Sequence, residues 1–258
     1  MPFSQYFRLI DIQARMALRA EASRFFLGYV WWILEPLLYV AVFYVVFNVI
    51  LDSRRADFLA FLMCGKLTFI WFSKSVSQAS GSIIANQGLI GKVNVPKTLF
   101  PMALVQQGVY KQTAVFLLLF AMLIAYGYSV TPGWLWLVPV IAVNYLMIVA
   151  CSFIGAYLVC LMRDFNLVIN LGMTFLLFTS GIFWDVRDLG DPAKTELVLA
   201  LNPLAFMLDA YRQVLMYQGV PDMVHLLQIA LVSGIVILVM GRFIRRSSQF
   251  IALKVLTS

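Results

Sequence analysis

Six long apolar stretches constrain this chain more than any other feature of its sequence. Each is close to the roughly 20 residues that an α-helix needs to cross the hydrocarbon core of a bilayer. Hydrophobic residues make up 62% of the chain and charged residues only 12%, a balance typical of proteins embedded in membranes. The sequence therefore predicts an all-α integral membrane protein that forms a single transmembrane domain over residues 1–258. The apolar stretches extend over residues 30–51, 58–80, 112–130, 134–161, 167–184 and 223–244.

The basic side chains are distributed unevenly between the two sides on which these spans end. Eleven lysines and arginines fall on the side that holds both termini, and five fall on the other side. Loops on the cytoplasmic side of a membrane carry an excess of Lys and Arg, so both termini are predicted to be cytoplasmic. The net charge of +7 is spread over these short loops, where it favours contact with anionic membrane lipid and not nucleic-acid binding.

The N-terminal residues 1–27 predict an amphipathic helix ahead of the first span. Apolar side chains recur along one helical face, whereas Arg8, Arg15 and Arg19 lie away from it. Such a helix is expected to lie in the membrane interface, with its apolar face buried and its arginines near anionic lipid. The alternative is a helix whose apolar face packs against the rest of the protein. That face consists of Phe3, Phe7, Ile10, Ala14, Ala17 and Leu18.

Two connections between spans are more structured than simple loops. Residues 82–96, here named the elbow, contain a short helical pattern on the predicted cytoplasmic side, followed by Pro96. The elbow is either a docking surface for a cytoplasmic subunit or a loop without a partner. Residues 185–222, on the outer side, contain helical patterns too short to span a membrane, which predicts re-entrant or interfacial helices. The apolar face of the elbow consists of Ile83, Ile84, Leu89 and Ile90.

Seven short segments follow one another in an order known from one family. They are RFFLGYVW (24–31) with EPL (35–37), Gly65 with WFS (71–73), NQGLI (86–90) with KV (92–93) and VPK (95–97), RD (163–164), SGIF (180–183), NP (202–203) and YR (211–212). Together, in this order and topology, they resemble the membrane subunits of type-2 ABC exporters. That family carries lipid-linked polysaccharides such as O-antigen, capsule or teichoic acid across the inner (cytoplasmic) membrane.

The resemblance implies a homodimer of multi-pass subunits. Each subunit would have six transmembrane helices, an N-terminal interface helix, a cytoplasmic coupling helix and short re-entrant helices on the outer side. It also implies two copies of a separate cytoplasmic ABC ATPase, which would contact the coupling helix. The residues that match this coupling role are Ser82, Ile83, Ile84, Asn86, Leu89, Ile90 and Lys92.

The chain itself is not expected to be an enzyme. Neither Gly65 with Lys66 nor Gly91 with Lys92 has the upstream glycine and the following Ser or Thr of a phosphate-binding loop. ATP and Mg are therefore expected on the ATPase, and no cofactor is expected in this chain. Three residues depart from the family pattern, which puts a close copying of substrate contacts in doubt. They are Lys66, where the family is typically apolar, and Phe26 and Leu27, where small or polar residues are common.

A sugar polymer requires a path through the membrane that sugar rings tolerate. Aromatic faces provide one, because they stack on the C–H faces of sugars. Tyr39, Phe43 and Phe47 recur every four residues and so share one helical face. Phe178 and Trp184 add rings in the fifth predicted span, and these five residues are candidates for the substrate conduit. The alternative is that the rings contact lipid or pack against neighbouring helices.

The lipid end of such a substrate often carries a pyrophosphate. Arg15, Arg19 and Arg24 are candidates to bind it, because guanidinium pairs bidentately with phosphate. The alternative is ordinary anchoring at the cytoplasmic interface. Lys111 could lie in the wall of the conduit, but it is expected at the membrane interface if the third span begins near Gln112.

Few groups suit proton or metal chemistry. Glu35 has three interpretations: a charge favoured at a helix N-terminus, a partner for Arg24 or for a lysine of a neighbouring span, or a proton-coupling carboxylate. His225 is the only histidine and is expected at the interface. No metal site is predicted, because the cysteines and this histidine lack the spacing of metal ligands.

Three other functions remain open on sequence grounds. Within the same class, the chain could be a type-2 ABC permease for drugs or small lipids. A proton-coupled secondary transporter or channel should show broken helices or an intramembrane carboxylate pair, and neither is clear. A membrane-embedded enzyme should expose clustered acidic side chains. The only such group is Asp185, Asp188 and Asp191, which is better interpreted as helix capping.

Overall fold

The computed structural model describes residues 3–50, 57–92 and 95–257. Over this part of the chain the secondary structure is entirely helical. The helices are α1 (Phe3–Ala22), α2 (Trp31–Tyr44), α3 (Phe58–Ser80), α4 (Ser82–Ala85), α5 (Gln87–Ile90), α6 (Leu99–Ala125), α7 (Leu137–Leu161), α8 (Phe165–Thr179), α9 (Pro192–Leu201), α10 (Pro203–Leu215), α11 (Met223–Arg246) and α12 (Ser248–Thr257). Three short 3₁₀ turns join them at Gly28–Val30, Pro132–Trp136 and Val186–Asp188, and Val45–Ile50 extends α2 as a π-helical turn.

Five of the helices in the described residues are long and apolar enough to cross a membrane. They confirm the all-helical membrane architecture. The stretch predicted as a further span, 167–184, instead forms α8, which has 15 residues and is therefore only about 22 Å long. The hydrocarbon core is about 30 Å thick, so six crossings per subunit stays a prediction. The five spans are Gly28–Phe47, Phe58–Ser80, Leu99–Ala125, Pro132–Leu161 and Met223–Arg246.

Helix α3 is the centre of the bundle. Of its apolar window, 78% is buried, compared with 11% for Gly28–Phe47. Helices α6 and α7 pack closely on α3 at two glycines. A Cβ at Gly108 would lie 2.4 Å from Ser75 Oγ, and a Cβ at Gly155 would lie 2.0 Å from Ser80 Oγ. Small residues let helix backbones approach each other in membranes, where packing takes over from the hydrophobic effect.

Helix α6 begins at Leu99, earlier than the predicted span start near Gln112. Pro101 lies in its first turn, where a missing N–H group is tolerated. Lys111 therefore lies near the middle of the helix and not at its end. The expectation that Lys111 marks the start of this helix is wrong, because the more polar first turns of α6 are helical too.

Helix α1 packs lengthwise on α6. Ile10, Ala14 and Leu18 are buried at intervals of four residues, and the Tyr6 hydroxyl donates to Thr98 Oγ1 at 2.9 Å. For these positions the structure favours packing against protein, the second of the two interpretations of the amphipathic pattern. The opposite side of α1 exposes other apolar side chains, which leaves a surface available to lipid. These residues are Ile12 and Met16, whereas Phe7 is exposed although it belongs to the predicted apolar face.

Candidate functional site

A cavity with four charged side chains in its lining lies between the N-terminal part of the chain and the bundle. The N-terminal wall is the end of α1 and the start of α2, and the opposite wall is formed by α3 and α6. The cavity volume is about 90 Å³, enough for a few waters at the roughly 10–15 Å³ that each requires. The lining residues are Glu21, Trp31, Trp32, Glu35, Pro36, Tyr39, Ile70, Trp71, Lys74, Ser75, Gln78, Gly108, Lys111, Gln112 and Val115.

Two ion pairs cross this cavity and join its walls. Lys74 Nζ on α3 donates to the Glu35 carboxylate on α2. Lys111 Nζ on α6 donates to the Glu21 carboxylate on α1, which also accepts a hydrogen bond from Gln107 at 2.6 Å. Pairing makes charged side chains tolerable at membrane depth. For Glu35, the interpretation as partner of a lysine on a neighbouring span is confirmed.

The cavity also contains hydrogen-bond donors that have no acceptor. Trp71 Nε1 and Gln112 Nε2 are buried, and neither has a partner among the described residues. Trp71 and Gln112 line the cavity together with the two lysines. Buried donors are nearly always satisfied in folded proteins, so this unsatisfied pair is available to an oxygen acceptor. The lining therefore combines cations and free N–H groups with the indole faces of Trp31 and Trp32.

The aromatic stripe predicted on the first span is present, and the structure extends it. Tyr39, Phe43 and Phe47 lie along α2 and its π-helical turn. Phe43 contacts Phe183 at a ring-centroid distance of 5.6 Å, and Phe183 contacts Phe178 at 5.8 Å. At the far end of the stripe, Phe47 and Phe58 are 4.7 Å apart. Trp184 joins the group because its Nε1 donates to the Phe178 carbonyl at 2.9 Å.

Tyr39 connects the two features. Its ring lines the cavity and is also the first ring of the aromatic stripe, and its side chain is partly exposed. The cavity and the stripe therefore form one continuous surface along α2. Sequence periodicity identified the stripe, but it missed the cavity, whose lining comes from four separate helices.

A buried arginine fixes the other end of the bundle. Arg212 on α10 is 2% exposed, and its guanidinium donates to the carbonyls of Phe61 (3.2 Å), Gly181 (2.7 Å) and Ile182 (3.2 Å). Burial lowers its pKa to about 10. Gly65 provides the space, because a Cβ there would lie 2.4 Å from Arg212 Nη2. Gly65 and Arg212, which belong to two of the seven segments, are therefore in direct contact.

The turn after α8, whose Gly181 and Ile182 carbonyls bind Arg212, is also held by Asn202, the N-cap residue of α10. Asn202 Oδ1 accepts hydrogen bonds from the N–H groups of Leu204 and Ala205, both at 3.1 Å, as expected of an N-cap. Its Nδ2 donates to Ser180 Oγ at 3.1 Å. Three of the seven recognised segments therefore meet in one cluster, although they lie far apart in the sequence. They are the segments at 180–183, 202–203 and 211–212.

A second arginine ties α10 to the preceding turn. Arg187 donates through Nε and Nη2 to the two carboxylate oxygens of Asp209, at 2.9 and 2.8 Å. These hydrogen bonds raise the pKa of the Arg187 guanidinium. Asp185 and Asp191, by contrast, accept hydrogen bonds from nearby backbone N–H groups, as helix capping predicts.

The three arginines proposed for a lipid headgroup are exposed and do not line the cavity. Arg15 pairs with Asp11 one turn earlier at 3.0 Å. The hydroxyl of Tyr110 also donates to Asp11, and this hydrogen bond lowers the pKa of the Asp11 carboxyl. Arg19 and Arg24 are exposed at the end of α1 and just beyond it. Their role with a headgroup stays a prediction, and the basic groups that line the cavity are Lys74 and Lys111.

The elbow folds as two short helices, α4 and α5, and its residues 93 and 94 lie outside the described residues. Ile83 and Ile90 are buried in the protein, as is Ser82, whose carbonyl accepts a hydrogen bond from Asn86 at 2.8 Å. Leu89 is 42% exposed, Ile84 is partly exposed, and Lys92 is exposed. The predicted apolar face is therefore divided between an inner and an outer part.

Comparison with known proteins places this architecture in one family. A family model described as ABC-2 type transporter matches residues 13–216. The chain is 27% identical to the O-antigen export system permease protein RfbA of Myxococcus xanthus over 235 residues, 90% of each chain. It is 25% identical to the RfbA protein of Klebsiella pneumoniae over 236 residues, 91% of this chain and 90% of that protein.

A third relative is named for another polymer. The polysialic acid transport protein KpsM of Escherichia coli is 26% identical over 239 residues, 90% of each chain. The family match covers most of this chain and includes α2, the cavity and the Arg212 cluster. The chain belongs to the ABC-2 type transporter family.

Proposed function

We propose that this chain is the membrane subunit of an ATP-driven exporter. It would move a lipid-linked polysaccharide, similar to O-antigen, from the cytoplasmic to the outer face of the inner membrane. The observation that carries this proposal is the continuous surface through Tyr39. A cavity suited to a phosphate headgroup leads directly into aromatic rings suited to sugars. The names and coverage of the relatives support the same substrate class.

The chemistry of the cavity supports binding of a charged lipid headgroup. Lys74 and Lys111 present ammonium groups, and Trp71 Nε1 and Gln112 Nε2 are free donors. A phosphate could replace the carboxylates of Glu35 and Glu21 as the partner of these lysines, because it offers more acceptor oxygens. The present volume of about 90 Å³ is too small for a lipid diphosphate. Substrate loading would therefore separate α1 and α2 from α3 and α6, and the two ion pairs would open.

The exposed faces of α2 and α8 support a homodimer. Only 11% of the apolar window that includes α2 is buried within the subunit. Helix α8 has no buried residue, and it exposes Leu171, Phe175 and Phe178. A second subunit packed on these faces would place two aromatic stripes around one conduit. With six crossings per subunit, both termini and the elbow would lie in the cytoplasm, where two ATPase subunits would supply the energy, with ATP and Mg bound on them.

The test of this function is deletion of the gene in its natural host. The expected result is lipid-linked polysaccharide trapped inside the cell and lost from the surface, with restoration by a plasmid copy. Labelling of the polymer on intact cells and again after lysis would measure the surface pool and the internal pool. Normal surface polymer with no internal pool would contradict the proposal and would favour the second candidate, export of drugs or small lipids.

The aromatic stripe gives a sharper prediction for the conduit. Tyr39→Ala and Phe43→Ala are expected to slow polymer export about tenfold each, since stacking of a ring on a substrate is worth about 1 kcal/mol or more. The measurement is the rate at which newly made polymer reaches the surface, at equal amounts of assembled protein.

Two exposed aromatic residues outside the stripe serve as matched controls. Tyr126→Ala and Phe250→Ala remove the same rings from exposed positions at the end of α6 and on α12. Both are expected to export at the rate of the unaltered protein. Unchanged export in Tyr39→Ala and Phe43→Ala would exclude the stripe from the conduit.

A further inference from the structure

A lysine lies within the aromatic stripe. Lys66 Nζ is 5.4 Å from the centroid of the Tyr39 ring, and it is 5.8 Å from the centroids of both Phe43 and Phe69. Lys66 is part of α3, about 12 Å along the helix axis from Phe58. At this depth an ammonium group is within the span and far from either helix end. Its side chain is partly exposed, and it adjoins the surface that Tyr39 and Phe43 form.

The charge of Lys66 differs from those of the neighbouring lysines. Lys74 pairs with Glu35 and Lys111 pairs with Glu21, so these charges are balanced within the subunit. No carboxylate of the described residues pairs with Lys66. The attraction of a ring face for a cation is about 0.5–2 kcal/mol, whereas placing an ammonium group at the centre of a span costs about 2.5–3.5 kcal/mol. Three rings together offset much of this cost, but a ring face is not an oxygen acceptor, and the ammonium group donates no hydrogen bond to the described residues.

A second, buried cation lies near this part of α3. Arg212 Nη2 lies against Gly65, the residue immediately before Lys66, and its own hydrogen bonds go to neutral carbonyls. An ionisable side chain within a span is rarely retained without a partner. The missing partner of Lys66 would thus be supplied by whatever occupies the stripe.

We propose that the polymer carried by this protein is anionic, and that Lys66 is the counter-charge that selects it. The polymer would bear carboxylate or phosphate groups on its repeating units, and each group would contact Lys66 as it passes. This inference rests on the proposed export function and narrows its substrate class. Neutral sugar rings could stack on Tyr39 and Phe43, but they would leave the ammonium group without a partner.

A lipid diphosphate presents the same anionic chemistry. It differs from an acidic polymer in one respect, since the lipid passes once per exported molecule and the repeating units pass many times. The position of Lys66 also favours the polymer, because the free donors and the two lysines Lys74 and Lys111 lie in the cavity and Lys66 is not among the residues that line it. The experiment includes a separate probe for each source.

The first arm examines the natural substrate. Polymer trapped in the deletion strain is expected to bind an anion-exchange column at pH 7 and to contain uronic acid or phosphate. When the variants are expressed from a plasmid in the deletion strain, Lys66→Met is expected to slow export about tenfold, because a hydrogen bond to a charged group is worth about 1.5–3 kcal/mol. Lys66→Arg is expected to retain most of the rate. The matched control is Lys194→Met, which removes an exposed lysine outside the stripe.

The second arm uses defined probes on the purified complex of the permease with its ATPase. Tryptophan fluorescence would measure binding of hexagalacturonate, maltohexaose and farnesyl diphosphate. Hexagalacturonate is expected to bind more tightly than maltohexaose, and Lys66→Met is expected to weaken it about tenfold and to leave the other two unchanged. Binding of hexagalacturonate no tighter than that of maltohexaose, including no binding of either, overturns the inference.

The remaining outcomes separate the inference from the proposed function. Trapped polymer that is uncharged overturns the inference and leaves export of a polysaccharide standing. An effect of Lys66→Met on farnesyl diphosphate alone assigns Lys66 to the lipid and also overturns the inference. Absence of any trapped polymer in the deletion strain overturns the proposed function itself, and the inference with it.

Discussion

Replacing Arg212 with methionine is expected to lower the melting temperature of the purified protein by roughly 10 °C. The guanidinium holds three backbone carbonyls, of Phe61, Gly181 and Ile182, that lie in two separate parts of the chain. Methionine fills a similar volume but removes the side-chain donor to the Gly181 and Ile182 carbonyls, and it leaves the Phe61 carbonyl with only its hydrogen bond within α3. The loss is about 3 kcal/mol or more, and each kcal/mol shifts the melting temperature of a protein of this size by about 2–4 °C.

Gly65 provides an independent test of the same contact. Gly65→Ala would place a Cβ 2.4 Å from Arg212 Nη2, so the arginine must move and its hydrogen bonds weaken. Gly65→Ala is therefore expected to destabilise the protein alone but to add little to Arg212→Met, since the two changes remove one interaction. Arg246→Met, at an exposed position on α11, is the control. Full additivity, or an unchanged melting temperature in Arg212→Met, would contradict this role.

Arg212 also shows why the sequence alone could not identify this cluster. In the sequence it is a basic residue near a short polar stretch, and it is one of the five basic residues on the predicted outer side. Its burial depends on a carbonyl from α3 and two from the turn after α8, contacts that no local pattern encodes. The predicted orientation does not depend on Arg212, because the excess of basic residues on the other side is larger than one arginine.

The sequence predicts the end of a helix where apolar residues give way to polar ones. It does not predict the end of a helix where the apolar residues continue beyond it. Helix α3 was predicted with the bounds 58–80 and is observed as Phe58–Ser80, because charged and polar residues flank it. Helix α8 ends at Thr179, although the apolar sequence continues through Ile182, Phe183 and Trp184. The turn depends on Gly181, whose φ of +73° favours glycine, and on the hydrogen bonds from Arg212.

The candidate site also has one part that the sequence predicts, the aromatic stripe, and one part that it does not, the cavity. The aromatic stripe follows from a four-residue period within one helix, so the sequence predicts it directly. The cavity depends on pairs such as Glu21 with Lys111, which are 90 residues apart. A sequence pattern identifies such residues as charges within or beside apolar segments. It does not identify their partners.

Leu89→Asp is expected to abolish both polymer export and co-purification of the ATPase. Ile83 and Ile90 are buried in the subunit, whereas Leu89 is 42% exposed, so among the described residues of the elbow Leu89 is the strongly exposed large apolar side chain. A partner that binds here would bury this side chain, and an anchor residue at the centre of an interface contributes about 2 kcal/mol or more. A carboxylate at this position would also have to be buried without a partner.

The burial of Ile90 determines which substitution is informative. Ile90→Asp would place a charge inside the subunit, so a loss of export in that variant would reflect misfolding as much as a lost contact. Leu89→Asp changes an exposed position, and the permease should remain monodisperse after extraction. Leu89→Met keeps the apolar side chain and is expected to retain ATPase and export. Retention of both by Leu89→Asp would place the ATPase contact elsewhere on the cytoplasmic surface, because an exposed apolar anchor cannot be replaced by a charge without loss.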